Sequence, residues 1–221
     1  MFYDTESNDH GLPFDPFKSI VVPRPIGWIT TLDRDGNVNL APYSQFNNLG
    51  FDPPYVMFAS TGPYKDSARN AVERGEFVCN MATWDLREAV NTTSMTLERG
   101  RDEAALAGLE MLPSRWIAPP RVAASPVHLE CRFFSSLTLP GREGRGASSQ
   151  VIIGRVVGVH IDDNVLTDDG RIDIIKIRPL ARLGYHDYTT LDSRFSMAPP
   201  SENVARGLEG RRGTGRGSRG R

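Results

Sequence analysis

Apolar and polar residues alternate in short runs along most of this chain, a pattern that is typical of half-buried β-strands. Three such runs follow one another at residues 26–32, 38–43 and 55–60. A turn at residues 33–36 and a proline-rich corner at residues 52–54 separate these runs. We therefore expect three consecutive antiparallel strands in this part of the chain.

The same pattern predicts the elements of the remaining chain. Further strands are predicted at residues 18–22, 76–81, 127–139, 151–161 and 172–177, and a loop at residues 47–50. Helices are predicted at residues 66–74, 83–96 and 102–112. Most connections between the strands are too short for a crossover, so the strands should pair antiparallel and close as a barrel. The expected fold class is mainly β, with a few peripheral α-helices.

Length and composition favour a single domain. The 221 residues, 39% of them hydrophobic, can bury one substantial core. We expect that domain at residues 18–195, between a lead-in at 1–17 and an Arg/Gly-rich tail at 196–221. No apolar run approaches the roughly 18 residues of a membrane span, and the first residues are acidic and polar, unlike a signal peptide. The expectation is a cytoplasmic protein that does not enter a membrane.

Charge is divided unevenly along the chain. Six of the 26 basic residues, but one of the 27 acidic residues, fall within residues 206–221. This segment lacks a core-forming set of apolar residues and is expected to be disordered, as a solvated appendage or as an electrostatic contact for RNA. The acidic remainder argues against nucleic-acid binding as the main task. The Gly- and Arg-rich loop at residues 140–149 is expected to be mobile.

Cysteine and histidine patterns exclude some kinds of chemistry. Cys79 and Cys131 lie in separate apolar runs, which favours buried free thiols over a disulfide in a reducing compartment. The four histidines are scattered without other ligands at metal-binding spacing, so we expect no metal site. A bound organic cofactor is the better hypothesis for any reaction.

Small hydroxyl side chains near the strand ends indicate an anion site. Lys65, one of only three lysines, precedes Asp66 and Ser67 at the start of the predicted helix. Helix N-termini present unpaired N–H groups and a favourable dipole to phosphate. An alternative is that Asp66 and Ser67 only cap the helix while Lys65 is solvated.

Several motifs together resemble the flavin reductase-like proteins, which bind FMN in a split β-barrel. In chain order they are PRPIGWITT, NLAPYSQFN, DPP, KDSARN, EFVCN, GRVVGVHIDD and RPLARLGYHDY. The resemblance covers roughly residues 18–190. It implies an antiparallel Greek-key split barrel and a homodimer with FMN in a groove at the subunit interface.

The resemblance also implies which residues hold FMN. Thr30 and Thr31 would lie near the ribityl and phosphate part. The run along the isoalloxazine would comprise Ala41, Pro42, Tyr43, Ser44, Gln45, Phe46 and Asn47, and the phosphate would be held by Ser60, Lys65 and Ser67. His160 and Tyr188 match later family positions more weakly, and a structural His160 is an equal alternative.

The activity implied by the resemblance is an NADH- or NADPH-dependent flavin reductase, with a flavin-dependent oxygenase among the partners it allows. In such an enzyme the nicotinamide passes hydride directly to flavin N5, so no catalytic residue is assigned. The alternative is a non-catalytic FMN-binding electron carrier. An enzyme like pyridoxamine-phosphate oxidase is disfavoured because the basic residues for a substrate phosphate have no clear counterpart.

Overall fold

The computed structural model describes residues 1–62, 65–142 and 146–209. Its strands are β1 (Arg24–Pro25), β2 (Gly27–Leu32), β3 (Val38–Tyr43), β4 (Phe46–Phe51), β5 (Pro54–Thr61), β6 (Glu76–Met81), β7 (Met111–Leu112), β8 (Arg121–Val122), β9 (Val127–Pro140), β10 (Ala147–Ile161), β11 (Ala181–Gly184) and β12 (Asp187–Thr189). The helices are α1 (Asp66–Arg74), α2 (Arg87–Thr92), α3 (Glu103–Leu106), α4 (Ile174–Ile177) and α5 (Glu202–Glu209), with short 3-10 turns at Pro16–Ser19, Trp84–Leu86 and Asp163–Val165.

A seven-stranded antiparallel sheet forms the body, in the order β3-β2-β6-β9-β10-β5-β4. Its two edge strands, β3 and β4, are consecutive in the chain and are joined only by Ser44 and Gln45. So short a link requires the sheet to curl until its edges meet. Gly27 on β2 lies against the Phe46 ring on β4, where a Cβ would stand 2.5 Å from a ring carbon. The predicted fold class, an antiparallel Greek-key split β-barrel, is confirmed.

Two of the core clusters among the described residues lie on opposite sides of the barrel wall, one inside the barrel and one on its outer side. The inner cluster includes Ile29, Phe58 and Phe77, and the outer cluster includes Trp28 and Leu40. Strand alternation explains the division, because neighbouring residues of β2 point to opposite faces. Both cysteines are buried free thiols, as predicted.

Two predicted strands are wrong, and each is replaced by a capped helical turn. Residues 18–22 were expected to form a strand, but the turn Pro16–Ser19 occupies the start of this range, with the Asp15 carboxylate accepting from Phe17 N. Residues 172–177 contain α4 instead, capped by the Asp173 carboxylate at 3.1 Å from Lys176 N. An aspartate cap offers the backbone a local alternative to a strand ladder, and this signal outweighed the apolar pattern.

Other boundaries also differ from the expectation. The loop predicted at residues 47–50 lies within β4, because pairing with β5 overrides the turn-like Asn and Gly composition. The helix predicted at 102–112 ends at Leu106, ahead of Gly108 with a φ of 67°. The helix predicted at 83–96 begins as a 3-10 turn and stops at Thr92.

The tail contains more secondary structure than expected. Helix α5 lies within the segment predicted to be disordered. Val204 and Leu208 stand four residues apart, the spacing that places side chains on one helix face, and both are exposed. Residues 210–221, and residues 143–145 of the loop predicted to be mobile, fall outside the described residues. None of the helices in the described ranges has the length and hydropathy of a membrane span.

Candidate functional site

A groove in two lobes opens beside the link between β3 and β4. The smaller lobe, with a cavity volume of about 240 Å³, lies between β3, the start of α1 and the segment that follows α2. Alternate β3 residues Asn39, Ala41 and Tyr43 supply one wall. Residues 93–97 and Glu103 supply the opposite wall.

The start of α1 gives the smaller lobe an anion-binding end. Lys65 occupies the N-cap position in an extended conformation, and its side chain does not cap the helix. No hydrogen-bond or ion-pair partner of the Lys65 ammonium is found among the described residues. The neighbouring Asp66 carboxylate is offset by Arg69 at 3.6 Å and Arg99 at 3.9 Å. The first-turn amides and a cation without a partner therefore face the lobe together, an arrangement that suits phosphate.

Buried hydroxyls and one carboxyl line the rest of the smaller lobe. Asn39 Nδ2 donates to Ser67 Oγ at 2.7 Å. Burial raises the pKa of the Tyr43 phenol to about 12, against a smaller opposing effect of its hydrogen bond with Ser67. Burial also raises the pKa of Glu103, although Leu40 N donates to its carboxylate at 3.0 Å. Tyr43 is therefore neutral near pH 7 and keeps a proton that it can donate.

The larger lobe, with a cavity volume of about 790 Å³, continues from the smaller one. Both lobes are lined by Pro42, Ser44, Gln45, Thr61 and Ser94. The β3–β4 link therefore stands at the junction, and the two lobes form one groove.

The larger lobe is basic and aromatic. Its cations are Lys18, Arg24 and Arg182, and none of the described carboxylates lines it. The Arg182 guanidinium stands 4.4 Å from the centre of the Tyr188 ring. A lobe with these side chains suits an anionic ligand that carries flat rings.

Seven of the twelve residues assigned to FMN by resemblance line this groove. They are Ala41, Pro42, Tyr43, Ser44, Gln45, Lys65 and Ser67. They come from the end of β3, the β3–β4 link and the start of α1, which the curl of the sheet brings together.

The other five lie away from the groove. Thr30 Oγ1 accepts from Asn80 Nδ2 at 2.8 Å, and Thr31 Oγ1 accepts from Asn70 Nδ2 at 3.1 Å, so both threonines are engaged within the core. Ser60 is buried on the face of β5 opposite the groove-lining Ala59 and Thr61. The Ser60 hydroxyl has no partner among the described residues. Phe46 packs on the inner core cluster, and Asn47 is exposed.

The two weaker candidates separate in the same way. Tyr188 lines the larger lobe. His160 does not line either lobe, and its Nε2 lies 2.5 Å from the Glu130 carboxylate. Glu130 is fully buried and also accepts from Arg115 N and Trp116 N, each at 2.7 Å. His160 is therefore engaged by Glu130, which agrees with the structural alternative for this residue.

Sequence reasoning missed several groove residues. Residues 93–96 and Glu103 lie within the two predicted helices at 83–96 and 102–112, and no motif singles them or Leu97 out. Arg24 and Arg182 lie within the motifs PRPIGWITT and RPLARLGYHDY, but they are 158 positions apart, and only the pairing of β1 with β11 joins them. The available signal was that each arginine lies in a motif that resembles the family.

Comparisons with known proteins agree with this architecture. The chain matches the model of the flavin reductase like domain over residues 19–188. The protein BH2278 of Halalkalibacterium halodurans is 37% identical over 185 residues, which cover 82% of this chain and 88% of that protein.

Two solved structures are similar over almost their whole length. Nitrilotriacetate monooxygenase component B from Bacillus cereus has a TM-score of 0.82 and 29% identity, over 89% of this chain and 98% of that chain. The 2-nitrobenzoate 2-nitroreductase NbaA from Pseudomonas fluorescens has a TM-score of 0.77 and 25% identity, over 91% and 98% of the two chains. With the family model matched across most of the barrel, this chain belongs to the flavin reductase-like family.

Proposed function

We propose that this protein is an NAD(P)H-dependent flavin reductase that holds FMN in the two-lobed groove. The observation that carries this proposal is the continuity of the groove. One end suits a phosphate, and the other is a large basic lobe with room for a second ligand. Two ligands that must meet for hydride transfer need a shared cavity of this kind.

The residues of the smaller lobe fit the phosphate end of FMN. Lys65, Ser67 and the first-turn amides of α1 would hold the phosphate, and the β3–β4 link would lie along the isoalloxazine. The Lys65 ammonium supports this fit because no described residue satisfies it. When bound, FMN supplies an acceptor for hydride at its N5 position.

The protein contributes placement. Tyr43 and Ser67 present a hydrogen-bonded polar wall, and the neutral Tyr43 phenol can donate to an acceptor in the groove. Residues 93–97 line the smaller lobe and would contact the bound flavin. The larger lobe would receive the nicotinamide dinucleotide, an anionic ligand with flat rings that suits its basic and aromatic lining.

We place the reductase in a homodimer in the cytoplasm. Apolar side chains on β4 and β9 are exposed, with Phe51 at 87% and Phe134 at 62%. Phe134 meets Tyr55 of β5 edge-on at 5.1 Å, so β9 and β5 contribute to one apolar patch, and exposed apolar patches mark interaction sites. Sedimentation of the wild type as a monomer would contradict the dimer. Two buried free thiols agree with a reducing compartment.

A flavin-dependent oxygenase is the partner class that fits best. A structural relative at 29% identity is named as one component of a monooxygenase, which implies a second component. A reductase of this kind would deliver reduced flavin to such an enzyme. The consumption of NAD(P)H should then rise when a cognate oxygenase and its substrate are added.

The test uses purified full-length protein. Absorption is recorded across the flavin bands, and then NADH or NADPH is added with and without free FMN under anaerobic conditions. We expect bleaching of the flavin bands together with oxidation of the nicotinamide. A protein that is colourless and inert under all conditions overturns the proposal. Tight FMN binding without nicotinamide oxidation identifies an electron carrier instead.

A further inference from the structure

Strands β1 and β11 bring two arginines into direct opposition. Arg24 pairs with Arg182 in their antiparallel register. Side chains at opposed positions lie on the same face, about 4.5–5.5 Å apart at Cβ, and like charges there destabilise the pair. Both guanidinium groups nevertheless line the larger lobe.

Nothing in the lobe compensates this repulsion. Lys18 adds a third cation, and the carboxylates of the described residues are absent from the lining. Arg24 Nε is buried and has no hydrogen-bond partner among the described residues. Its Nη1 donates to the carbonyl of Val21 at 2.5 Å, so the guanidinium is held in place while one donor stays unused.

The second arginine is also held in position. Arg182 donates to the carbonyl of Tyr185 and stacks over Tyr188 at 4.4 Å. Gly184 makes this arrangement possible, because a Cβ there would meet the carbonyl oxygen of Lys18 at 2.5 Å. This close contact, together with the hydrogen bond from Arg24 Nη1 to the Lys18 carbonyl at 3.4 Å, places the Lys18 backbone next to the arginine pair. Cations that are held close together without a carboxylate among the described lining residues suit the binding of a doubly charged phosphate.

We propose that Arg24, Arg182 and Lys18 bind the 2′-phosphate of NADPH, so that the enzyme prefers NADPH to NADH. This inference rests on the proposed function and names its substrate. A phosphate monoester carries a charge of about −2 near pH 7, whereas each phosphate of the pyrophosphate bridge carries about −1. Three convergent cations match the monoester better than a single bridge phosphate.

Binding of the oxidised coenzymes to FMN-loaded protein tests the preference without turnover. Isothermal titration calorimetry should give a Kd for NADP⁺ about 10- to 100-fold lower than for NAD⁺, as expected for charge-assisted hydrogen bonds. Arg182→Gln should remove most of that advantage and leave NAD⁺ binding within about threefold. Arg182→Lys, which keeps the charge, should retain part of it.

Two further variants separate the site from general effects. Lys18→Gln removes an exposed cation for which no side-chain contact is found among the described residues. This variant should therefore fold like the wild type, even if Arg182→Gln lowers the melting temperature. Lys18→Gln should raise the Kd for NADP⁺ more than the Kd for NAD⁺. Arg171→Gln removes a cation of similar exposure that pairs with Asp169 and does not line the groove. That control should change neither Kd.

The outcomes also distinguish this inference from the proposed function. Equal affinity for NADP⁺ and NAD⁺, or an equal loss of both in Arg182→Gln, overturns the assignment to the 2′-phosphate. If the protein neither holds FMN nor oxidises a nicotinamide, the reductase proposal fails. In that case 2′,5′-ADP and 5′-AMP are compared on the same protein. Tighter binding of 2′,5′-ADP, lost in Arg182→Gln, then supports the phosphate site, and equal binding overturns it.

Discussion

Two charged regions of this barrel differ in whether their charges have partners within the chain. Glu130 is fully buried, yet its carboxylate accepts from Arg115 N, Trp116 N and His160. Arg24 and Arg182 oppose each other in the groove without a carboxylate among the described lining residues. The carboxylate of the first region is fully satisfied within the chain, whereas none of the described carboxylates neutralises the arginines of the second. Unsatisfied charge, more than charge itself, marks the candidate site.

The pKa of Glu130 shows how complete its surroundings are. Burial alone would raise the pKa of this carboxyl, but the hydrogen bonds from Arg115 N, His160 and Trp116 N together hold it below its usual value. A buried carboxylate that stays ionised must be well satisfied, because desolvation otherwise favours the neutral form. Glu130 also ties the segment around Trp116 to β9, so its role is to hold that segment in place.

The largest expected effect is therefore on stability, at Glu130. Glu130→Ala leaves two backbone donors and His160 without their acceptor, and it should lower the free energy of unfolding by about 3–5 kcal/mol. Urea denaturation measures this loss. The FMN affinity of the folded fraction should stay unchanged, because Glu130 does not line the groove.

A matched control removes a carboxylate that is exposed. Glu88 pairs with Arg87 at 3.4 Å, and its side chain is 83% exposed. Glu88→Ala should change the free energy of unfolding by no more than about 0.5 kcal/mol. A Glu130→Ala loss as small as that of the control would remove the contrast between the two regions.

Next in size is a pH effect beside Glu130. Burial lowers the pKa of His128 to about 4, helped by Arg121 and His160 and opposed by the Val122 carbonyl, to which Nε2 donates at 2.8 Å. The unfolded state binds a proton near pH 6.5, and the folded state binds it near pH 4. Stability is therefore complete above pH 6.5 and falls as the pH drops from 6.5 towards 4, by up to about 3 kcal/mol.

The variant His128→Gln isolates this effect. Glutamine can still donate to the Val122 carbonyl but does not titrate, so the difference from the wild type should shrink as the pH falls from 6.5 to 4. Thermal melts at half-unit pH steps measure it. A His128→Gln curve parallel to that of the wild type would mean that His128 is not held neutral by burial.

The sequence predicted most of the barrel for a clear physical reason. In the long strands, the alternation of apolar and polar residues shows which side chains face the core. Helix α1, which ends at Gly75, has both its periodicity and its end signal in the local sequence. The short elements lack such local signals. Strand β4 pairs across the barrel in spite of its turn-forming residues, and α4 depends on one aspartate cap. Such elements are decided by tertiary contacts or by single side chains.

The candidate site was predictable in part for a related reason. Lys65 and Ser67 lie on one helix start, so local chemistry indicated them directly. Thr30 and Thr31 share the hydroxyl chemistry of the site, but Asn80 and Asn70 occupy their oxygens within the core. Residue type alone cannot tell an engaged hydroxyl from a free one. The Arg24–Arg182 pair depends on the register between β1 and β11, which cannot be predicted from a single sequence.

A substitution at Lys65 tests whether a cation without a described partner binds the ligand's phosphate. Its contact with a phosphate would be worth about 1.5–3 kcal/mol, so Lys65→Ala should weaken FMN by about 10- to 100-fold. Riboflavin, which lacks the phosphate, should bind equally well to both proteins. Fluorescence titration of each flavin measures this. Stability should hardly change, because the Lys65 side chain has no partner among the described residues.

Lys176 supplies the control among the three lysines. Its ammonium donates to the carbonyl of Asn164 at 2.6 Å, away from both lobes. Lys176→Ala should leave the affinities for FMN and riboflavin as they are. Equal losses of FMN and riboflavin in Lys65→Ala would show that Lys65 is not at the phosphate and that an unpartnered cation is a poor guide to this site.

The smallest effect is expected from the C-terminal tail. Val204 and Leu208 of α5 are 41% and 75% exposed, so the helix buries little apolar surface against the barrel. A chain ending at Pro200 should match the full chain in thermal melting and FMN titration, within experimental error. The arginines beyond residue 205 could still attract polyanions, and retention on nucleic acid should then fall with truncation and with rising salt. Loss of flavin binding on truncation would instead show that the tail is part of the groove. The groove would then have to be described with the tail as a third region, beside the satisfied charges of the barrel and the uncompensated charges of the lobe.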